Sequence, residues 1–277
     1  MVSNCKKTPI IPPLSPDNIR HTVKKIGTFQ DTINECSGFF YEQQQLFVIN
    51  DGGGGAVLHQ TNPTNLAFVQ TIALPEVSNF DWEAITTTET EIIIGDFGNN
   101  FGNRRDLKLL HFDKSNFTFQ KSIPFSYPDQ TDFTPSNTHN FDCEALIIKD
   151  NQYHLFTKNR GNTRTNLYTA PLGDNLFILQ DSLEVPGLIT DAYYLESSAI
   201  FLLLNNQKVA DIFQSFISIV QLKEDNRLAM ITNLPLNLNE QLEAITLKED
   251  NVFFIGSEKE RLVEGNLYEV TIEGIGF

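Results

Sequence analysis

The sequence predicts an all-β fold, a five-bladed β-propeller of four-stranded antiparallel blades, and three observations carry that prediction. The first is a recurring phrase. Phe80-Asp81-Trp82-Glu83-Ala84-Ile85-Thr86 is nearly repeated as Phe141-Asp142-Cys143-Glu144-Ala145-Leu146-Ile147 and again as Gln241-Leu242-Glu243-Ala244-Ile245-Thr246. Weaker relatives are Glu35-Cys36-Ser37-Gly38-Phe39-Phe40 and Ile189-Thr190-Asp191-Ala192-Tyr193-Tyr194. Aligned on the small residue that follows, the equivalent positions are Ser37, Glu83, Glu144, Asp191 and Glu243, separated by 46, 61, 47 and 52 residues. Self-similarity at about 40–50 residues marks a propeller or solenoid, in which each unit needs its neighbours to bury its apolar faces. The second observation is texture. From Thr22 onward, runs of Ile, Val, Phe, Leu, Tyr and Thr alternate with Asn, Asp, Gly and Pro, the pattern of short strands and turns. The third is the strand count, which falls one short at the C-terminal end and is completed from the N-terminal end.

Each repeat divides into four strands. The first gives Ser37 to Tyr41, Leu46 to Asn50, Ala56 to Gln60 and Ala67 to Leu74. The second gives Glu83 to Thr88, Glu91 to Asp96, Leu107 to Phe112 and Phe117 to Phe125. The third gives Glu144 to Lys149, Tyr153 to Thr157, Asn166 to Leu172 and Leu176 to Val185. The fourth gives Asp191 to Leu195, Ala199 to Leu204, Phe216 to Leu222 and Arg227 to Leu234. The fifth supplies only Glu243 to Leu247, Val252 to Ile255 and Asn266 to Ile272. Its outer strand is expected to be Thr22 to Phe29, which closes the ring and removes the open edge. The polar segment from Ser126 to Asn140 reads as a loop between blades 2 and 3, and no stretch sustains a capped 3.6-residue period.

Composition narrows the function. The formal net charge is −15, with an isoelectric point near 4.7. Such a chain is a poor partner for nucleic acid or an anionic membrane. The charge serves solubility, or some of the carboxylates hold a cation. The three cysteines, Cys5, Cys36 and Cys143, form no disulfide framework; Cys36 and Cys143 precede equivalent positions and are expected to be buried alike. The five histidines lack zinc-site spacing. Val2-Ser3-Asn4-Cys5-Lys6-Lys7 resembles the end of a bacterial lipoprotein signal, with Cys5 as the lipidated residue. This predicts residues 1–20 as a Pro-rich tether and 21–277 as one propeller domain. The protein would be exported, periplasmic or at the cell surface, and would touch the membrane only through a lipid. A monomer is expected.

Strand a of a blade is innermost, so Ser37, Glu83, Glu144, Asp191 and Glu243 should converge at one mouth of the central channel. Carboxylates brought together cannot all stay ionised without compensation. Either they cap backbone amides and the channel holds water, or a cation sits among them. Oxygen-only donors favour a hard cation, and Ca2+ suits the loose, high-coordination geometry better than magnesium. The end of strand b lies beside the start of strand a, so the b–c turns share this face. Seven of the 20 Lys and Arg fall in those turns: Arg104, Arg105, Lys158, Arg160, Arg164, Lys259 and Arg261. Either this is ordinary loop charge, or Arg104, Arg105, Lys158, Asn159 and Arg160 bind an anionic substrate beside the cation. Asp51 and Asp96, at the ends of their b strands, are the candidates to orient an attacking water. Gly52 to Gly55 lacks the following helix and GK[ST] of a phosphate loop and reads as a hairpin turn.

The order Ser37, Glu83, Glu144, small polar, Glu243 resembles the five-bladed calcium-activated nucleotidases, the soluble apyrases. Phe156-Thr157-Lys158-Asn159-Arg160 is similar to a basic turn in the same blade of that family. The resemblance implies a central calcium with one ligand position per blade and hydrolysis of phosphoanhydrides or phosphoesters. Asp191 stands where that family tends to carry a hydroxyl. The chain also resembles the wider lactonase and phytase-like propellers whose repeats begin Glu-Ala or Glu-Gly, which generally have six blades. Asp96-Phe97-Gly98-Asn99-Asn100 with Asn103-Arg104-Arg105-Asp106-Leu107 resembles exported bacterial propellers. The other reading of the same residues is a non-catalytic surface propeller with structural calcium and a rim that binds a glycan or protein.

Overall fold

The computed structural model describes residues 14–210, 212–260 and 263–276. Cys5, most of the expected tether and Arg261 lie outside the described residues. Among the described residues, twenty strands form five four-stranded antiparallel sheets. Strand β1 (Arg20–Thr28) is set aside by the chain for later use. Blade 1 is β2 (Cys36–Glu42), β3 (Gln45–Asn50), β4 (Val57–Thr61) and β5 (Phe68–Ala73). Blade 2 is β6 (Trp82–Thr87), β7 (Glu91–Asp96), β8 (Lys108–Asp113) and β9 (Phe119–Pro124). Blade 3 is β10 (Cys143–Lys149), β11 (Gln152–Thr157), β12 (Arg164–Pro171) and β13 (Ile178–Glu184). Blade 4 is β14 (Leu188–Leu195), β15 (Ile200–Val209), β16 (Ile212–Leu222) and β17 (Leu228–Pro235). Blade 5 is β18 (Leu242–Glu249), β19 (Val252–Ser257) and β20 (Asn266–Glu273), with β1 paired antiparallel on its outer edge from Arg20–Glu273 to Thr28–Asn266.

Side-chain alternation explains how the blades join. Successive residues of a strand point to opposite faces, and each inner strand is covered on both. In β7, Ile92 and Ile94 pack into the cluster shared with blade 1, and Ile93 packs into the cluster shared with blade 3. The core is therefore five inter-blade clusters, one at each junction around the ring. Burying one such isoleucine contributes about 1.5–3 kcal/mol. Leu14 and Ile19 pack into the cluster between blades 4 and 5, so the chain joins the domain slightly ahead of β1.

The segment from Ser126 to Asn140 contains no strand and is stitched to the turn that follows β7. Gln130 Nε2 donates to the Gly102 carbonyl at 2.7 Å, the Ser136 amide donates to the Phe101 carbonyl at 2.9 Å, and His139 Nε2 lies 3.1 Å from the Asn100 carbonyl. It forms a wall on the face that carries the b–c turns and is not a sixth blade.

One irregularity repeats in every blade. The pairing of strand a with strand b skips a residue between Cys36 and Gly38, Trp82 and Ala84, Cys143 and Ala145, Ile189 and Asp191, and Leu242 and Ala244. Such a β-bulge takes its extra residue out of the ladder and re-aims its side chain. Cys36 and Cys143 stand immediately before their bulges, both buried, at the equivalent places their sequence context predicts.

Candidate cation and ligand site at the channel mouth

The bulged residues are Ser37, Glu83, Glu144, Thr190 and Glu243, and all five line one cavity of about 980 Å³ at the channel mouth. Blade 4 corrects the sequence alignment, because the bulged residue there is Thr190 and not Asp191. The hydrogen bonds agree. Ser37 Oγ donates to the Trp82 carbonyl at 2.6 Å, and Thr190 Oγ1 donates to the Leu242 carbonyl at 2.6 Å. Each acceptor is the residue just before the bulge of the following blade. Asp191 is one residue further on and accepts backbone amides from Ala192 at 2.8 Å and Ile245 at 2.7 Å. Its carboxylate is a structural clasp between blades 4 and 5.

A second ring surrounds the first. Asp51, Phe97, Lys158 and Glu258 follow strand b of their blades, and their amides donate to the carbonyls of Glu35, Asp81, Asp142 and Gln241 at 2.8, 3.2, 2.7 and 3.0 Å. Asn206 is their counterpart in blade 4, paired with Leu188. Every blade thus has three positions near the mouth, two on the way into strand a and one on the way out of strand b; all line the cavity except Asp81, Phe97 and Asp142, which stand behind it. Carboxylates dominate these positions, and Lys158 is the one basic residue among them.

Blades 2 and 3 carry the same Phe-Asp-x-Glu phrase and use it differently. In blade 3, Asp142 is fully buried and accepts the Asn99 amide at 2.7 Å and Arg160 Nη2 and Nε at 2.8 and 3.2 Å. Glu144 Oε2 accepts Lys158 Nζ at 2.8 Å. Burial opposes the Lys158 ammonium, but Glu144, Glu243, Asp142 and Glu83 outweigh it and raise its pKa. In blade 2 the register places Phe97 where blade 3 has Lys158, Gly98 where it has Asn159 and Asn99 where it has Arg160. Glu83 is 7% exposed and has no hydrogen bond or ion pair among the described residues. Burial pushes its carboxyl well above the usual range, with Glu144 and Asp51 adding to the rise. Asp81 is raised to about 7, first by burial and then by a hydrogen bond to Asp51 and the charge of that neighbour. Carboxylate oxygens of Asp51, Asp81 and Glu83 lie within 4.8 Å of one another. A Cβ on Gly98 would stand 2.4 Å from Glu83 Oε1 and 2.5 Å from Asp81 Cγ, so only glycine lets the chain pass this close to the cluster.

On the opposite side, Gln241 Nε2 donates to Glu243 and, at 2.9 Å, to Glu258 Oε2. Burial lifts Glu243 to about 7 against the opposing charge of Lys158. Burial also lifts Glu258 to about 8, with Glu243 and Asp51 adding to it. The remaining wall differs in chemistry. Strands β15 and β16 run ten and eleven residues, where β7 and β8 run six. Their extra length brings Gln207, Lys208 and Phe213 to the cavity beside Val185, Pro186 and Leu188.

The basic groups expected to grip a substrate are largely occupied within the fold. Arg104 pairs with Asp96 at 2.9 Å and Asp106 at 3.1 Å, donates to the Gly98 carbonyl at 2.8 Å and covers the Phe80 ring at 4.4 Å. Arg105 covers Phe133 at 3.6 Å. Arg160, besides Asp142, donates to Asn100 Oδ1 at 2.6 Å. Asn159 is buried, accepting from Thr157 Oγ1 at 2.6 Å and donating to Asn166 Oδ1 at 3.1 Å. Arg164 is bound to Ser182, and Lys259 to Asp31 and Glu264. Of these, Lys158 and Arg160 reach the cavity lining. The two aspartates also part company. Asp51 lines the cavity, whereas Asp96 is fully buried between Arg104 and Lys108, the latter at 3.1 Å. Asp81, Thr190, Gln241 and Glu258 belong to the site without having been singled out from the sequence. The repeated Phe-Asp pair at 80–81 and 141–142 was the available signal for Asp81.

No family model matches the chain, and no curated protein does. Solved structures do resemble it. The soluble aldose sugar dehydrogenase of Escherichia coli aligns over 91% of this chain and 99% of its own, at 7% identity and a TM-score of 0.54. An endo-arabinase from Bacteroides thetaiotaomicron aligns over 88% of this chain and 96% of its own, at 10% identity and a TM-score of 0.54. A glucose dehydrogenase covers 90% of this chain and 99% of its own, at 7% identity and a TM-score of 0.50. None of the three is a nucleotidase, and they lend the apyrase resemblance no support. What likeness at these identities establishes is the architecture, a β-propeller.

Proposed function

We propose that the channel mouth binds a divalent cation, calcium, on Asp51, Asp81 and Glu83, and holds an anionic ligand through it. One observation carries this reading. Glu83 is a buried carboxylate without a protein partner among the described residues, and it faces two more carboxylates within 4.8 Å. Such a cluster is costly unless protonated or compensated by a cation. Oxygen-only donors fit a hard ion, and calcium's demand for six to eight oxygens leaves room for ligand and water. The bulge ring, read as Ser37, Glu83, Glu144, Thr190 and Glu243, also carries a hydroxyl in blade 4, where the nucleotidase resemblance implies one.

In the enzymatic form of this reading, the substrate is a phosphoester or phosphoanhydride. A calcium held by Asp51, Asp81 and Glu83 would supply positive charge to polarise a phosphoryl oxygen. Lys158 and Arg160, on the cavity lining, add charge complementary to the developing anion, and Asp51 accepts a hydrogen bond from the attacking water. A second reading has its own observation. Arg104, Arg105 and Arg160 are paired or stacked inside the fold, which leaves few guanidinium donors for a phosphate. On that reading the calcium is structural, and the mouth of an exported propeller binds a glycan or protein partner.

Calorimetric unfolding with excess calcium and with chelator tests both. A site filled to a hundred times its dissociation constant adds about 2.7 kcal/mol of stability. A calcium-specific rise lost in Glu83→Gln supports the cation site, and calcium-dependent phosphate release from nucleotides or phosphomonoesters then supports the hydrolase. A rise without turnover favours the binding propeller. No calcium-specific rise rejects the calcium site altogether.

A further inference from the structure

We infer that the ammonium of Lys158 is a tethered counter-ion in the central place of the bulge ring, so that a free divalent cation is confined to the off-axis cluster between blades 1 and 2. The identity of that free ion rests on the calcium reading above; the role of Lys158 does not.

A ring of five equivalent blades has one place close to all of its bulged residues, the axis. Three of those residues are glutamates, so an axial cation would meet Glu83, Glu144 and Glu243 together. Lys158 reaches in from the second ring, its side chain 13% exposed and its Nζ 2.8 Å from Glu144 Oε2. Its charge also bears on Glu83 of the adjacent blade 2 and on Glu243 of blade 5, across the mouth. The equivalent positions hold Asp51, Phe97, Asn206 and Glu258, so the cation comes from one blade alone. A largely desolvated ammonium needs a partner to stay charged, and this one has Glu144. The result is a division of labour. Glu144 is neutralised from within the chain, while Glu83, about whose cluster Gly98 leaves no space for a side chain, keeps its oxygens unclaimed.

If Lys158 already holds the axis, it repels a second cation, and removing its charge must help calcium to bind. Calcium titration by calorimetry on the full chain, with Lys158→Gln and Lys158→Arg, reads this out. Lys158→Gln is expected to bind calcium about tenfold more tightly or with one additional ion, and Lys158→Arg to stay within about threefold of the wild type. Lys158→Gln should also lose thermal stability in chelator and regain it with calcium. Because that variant strands Glu144 and could fail to fold, Lys158→Gln/Glu144→Gln is the second test. It removes both charges of the pair and leaves Asp51, Asp81 and Glu83 untouched. It should still bind calcium about threefold or more tighter than the wild type. A wild type that binds no calcium beside a variant that does would uphold Lys158 as the resident cation and sink the calcium reading. A wild type that binds calcium, with both variants equal or weaker, would overturn the inference and leave the calcium reading standing. No binding by any of the proteins would overturn both.

Discussion

Replacing Asp142 with asparagine should cost about 3–5 kcal/mol of folding stability, the range for stranding one member of a buried ion pair. The same change at Asp81 should raise stability when no divalent cation is present. Asp142 accepts three charge-assisted bonds, from the Asn99 amide at 2.7 Å and from Arg160 at 2.8 and 3.2 Å. Asparagine has the right shape, but it removes the anion and can turn an NH2 group toward donors. Asp81 has no comparable donor. Arg104 Nη1 is 3.8 Å away and already donates to the Gly98 carbonyl, while Nη2 of the same guanidinium holds Asp96. Burial and Asp51 raise Asp81 from an ordinary value near 3.8 to about 7. A carboxyl whose pKa is raised by folding stabilises the fold fully below its unfolded value and loses that contribution as pH climbs through its folded value. Wild type and Asp81→Asn should therefore match near pH 4 and diverge towards pH 7.5, the variant gaining on the order of 1 kcal/mol. Urea unfolding in chelator at both pH values measures each difference. A cost below about 1 kcal/mol for Asp142→Asn, or equal losses for the two variants at pH 7.5, would show that the repeated phrase does the same job in both blades.

The same pH logic extends to the whole mouth. With Asp81 and Glu243 raised to about 7 and Glu258 to about 8, the cation-free protein should lose stability as pH rises from about 4 to about 8, and excess calcium should flatten that decline. Thermal melts across a pH series with and without chelator would reveal it. Ser37→Ala and Thr190→Val should each cost about 0.5–1.5 kcal/mol, because each removes one inter-blade hydrogen bond of 2.6 Å. Their sum in the double variant should hold within about 0.5 kcal/mol, since the sites share no partner. Gly98→Ala would push a methyl to within 2.4 Å of Glu83 Oε1, about 1 Å inside normal contact. If the resulting 1–3 kcal/mol or so of overpacking falls on the bound geometry, calcium affinity drops by about tenfold or more while the fold survives; unchanged affinity by titration would remove that glycine from the site.

The blades could be read from the sequence because burial on both faces writes continuous apolar runs, and because the closing strand is missing from one end and present at the other. The bulge could not be read. A single extra residue leaves no mark on composition, so aligning on the small residue that follows put Asp191 in the place that Thr190 holds. The acidic character of the mouth was legible in Glu83, Glu144 and Glu243, since symmetry forces equivalent residues to meet. The fate of the basic turns was not. Sequence places Arg104, Lys158 and Arg160 on the right face but cannot say which carboxylate each will find, and Asp96, Glu144 and Asp142 claim them within the fold. Asp51 lies one residue beyond β3, whereas Asp96 is the last residue of β7 and matches Asn50 in register; that single-residue offset puts Asp51 on the cavity and Asp96 inside, against Arg104 and Lys108.

The pairing of β1 with β20 joins residues as far apart as Arg20 and Glu273. During synthesis, β1 emerges before the strands of all five blades and must wait for β20, and the ring cannot close until both are present. Contacts of such separation slow folding, and a waiting strand offers its unpaired edge to any other chain nearby. β1 is suited to that wait. Its sequence, Arg20-His21-Thr22-Val23-Lys24-Lys25-Ile26-Gly27-Thr28, carries Arg20, Lys24 and Lys25 along an edge that would otherwise invite pairing. In the finished ring one of them, Lys24, pairs with Glu269 of β20, so the charge suited to keeping the edge unpaired before closure also joins it to its partner afterwards.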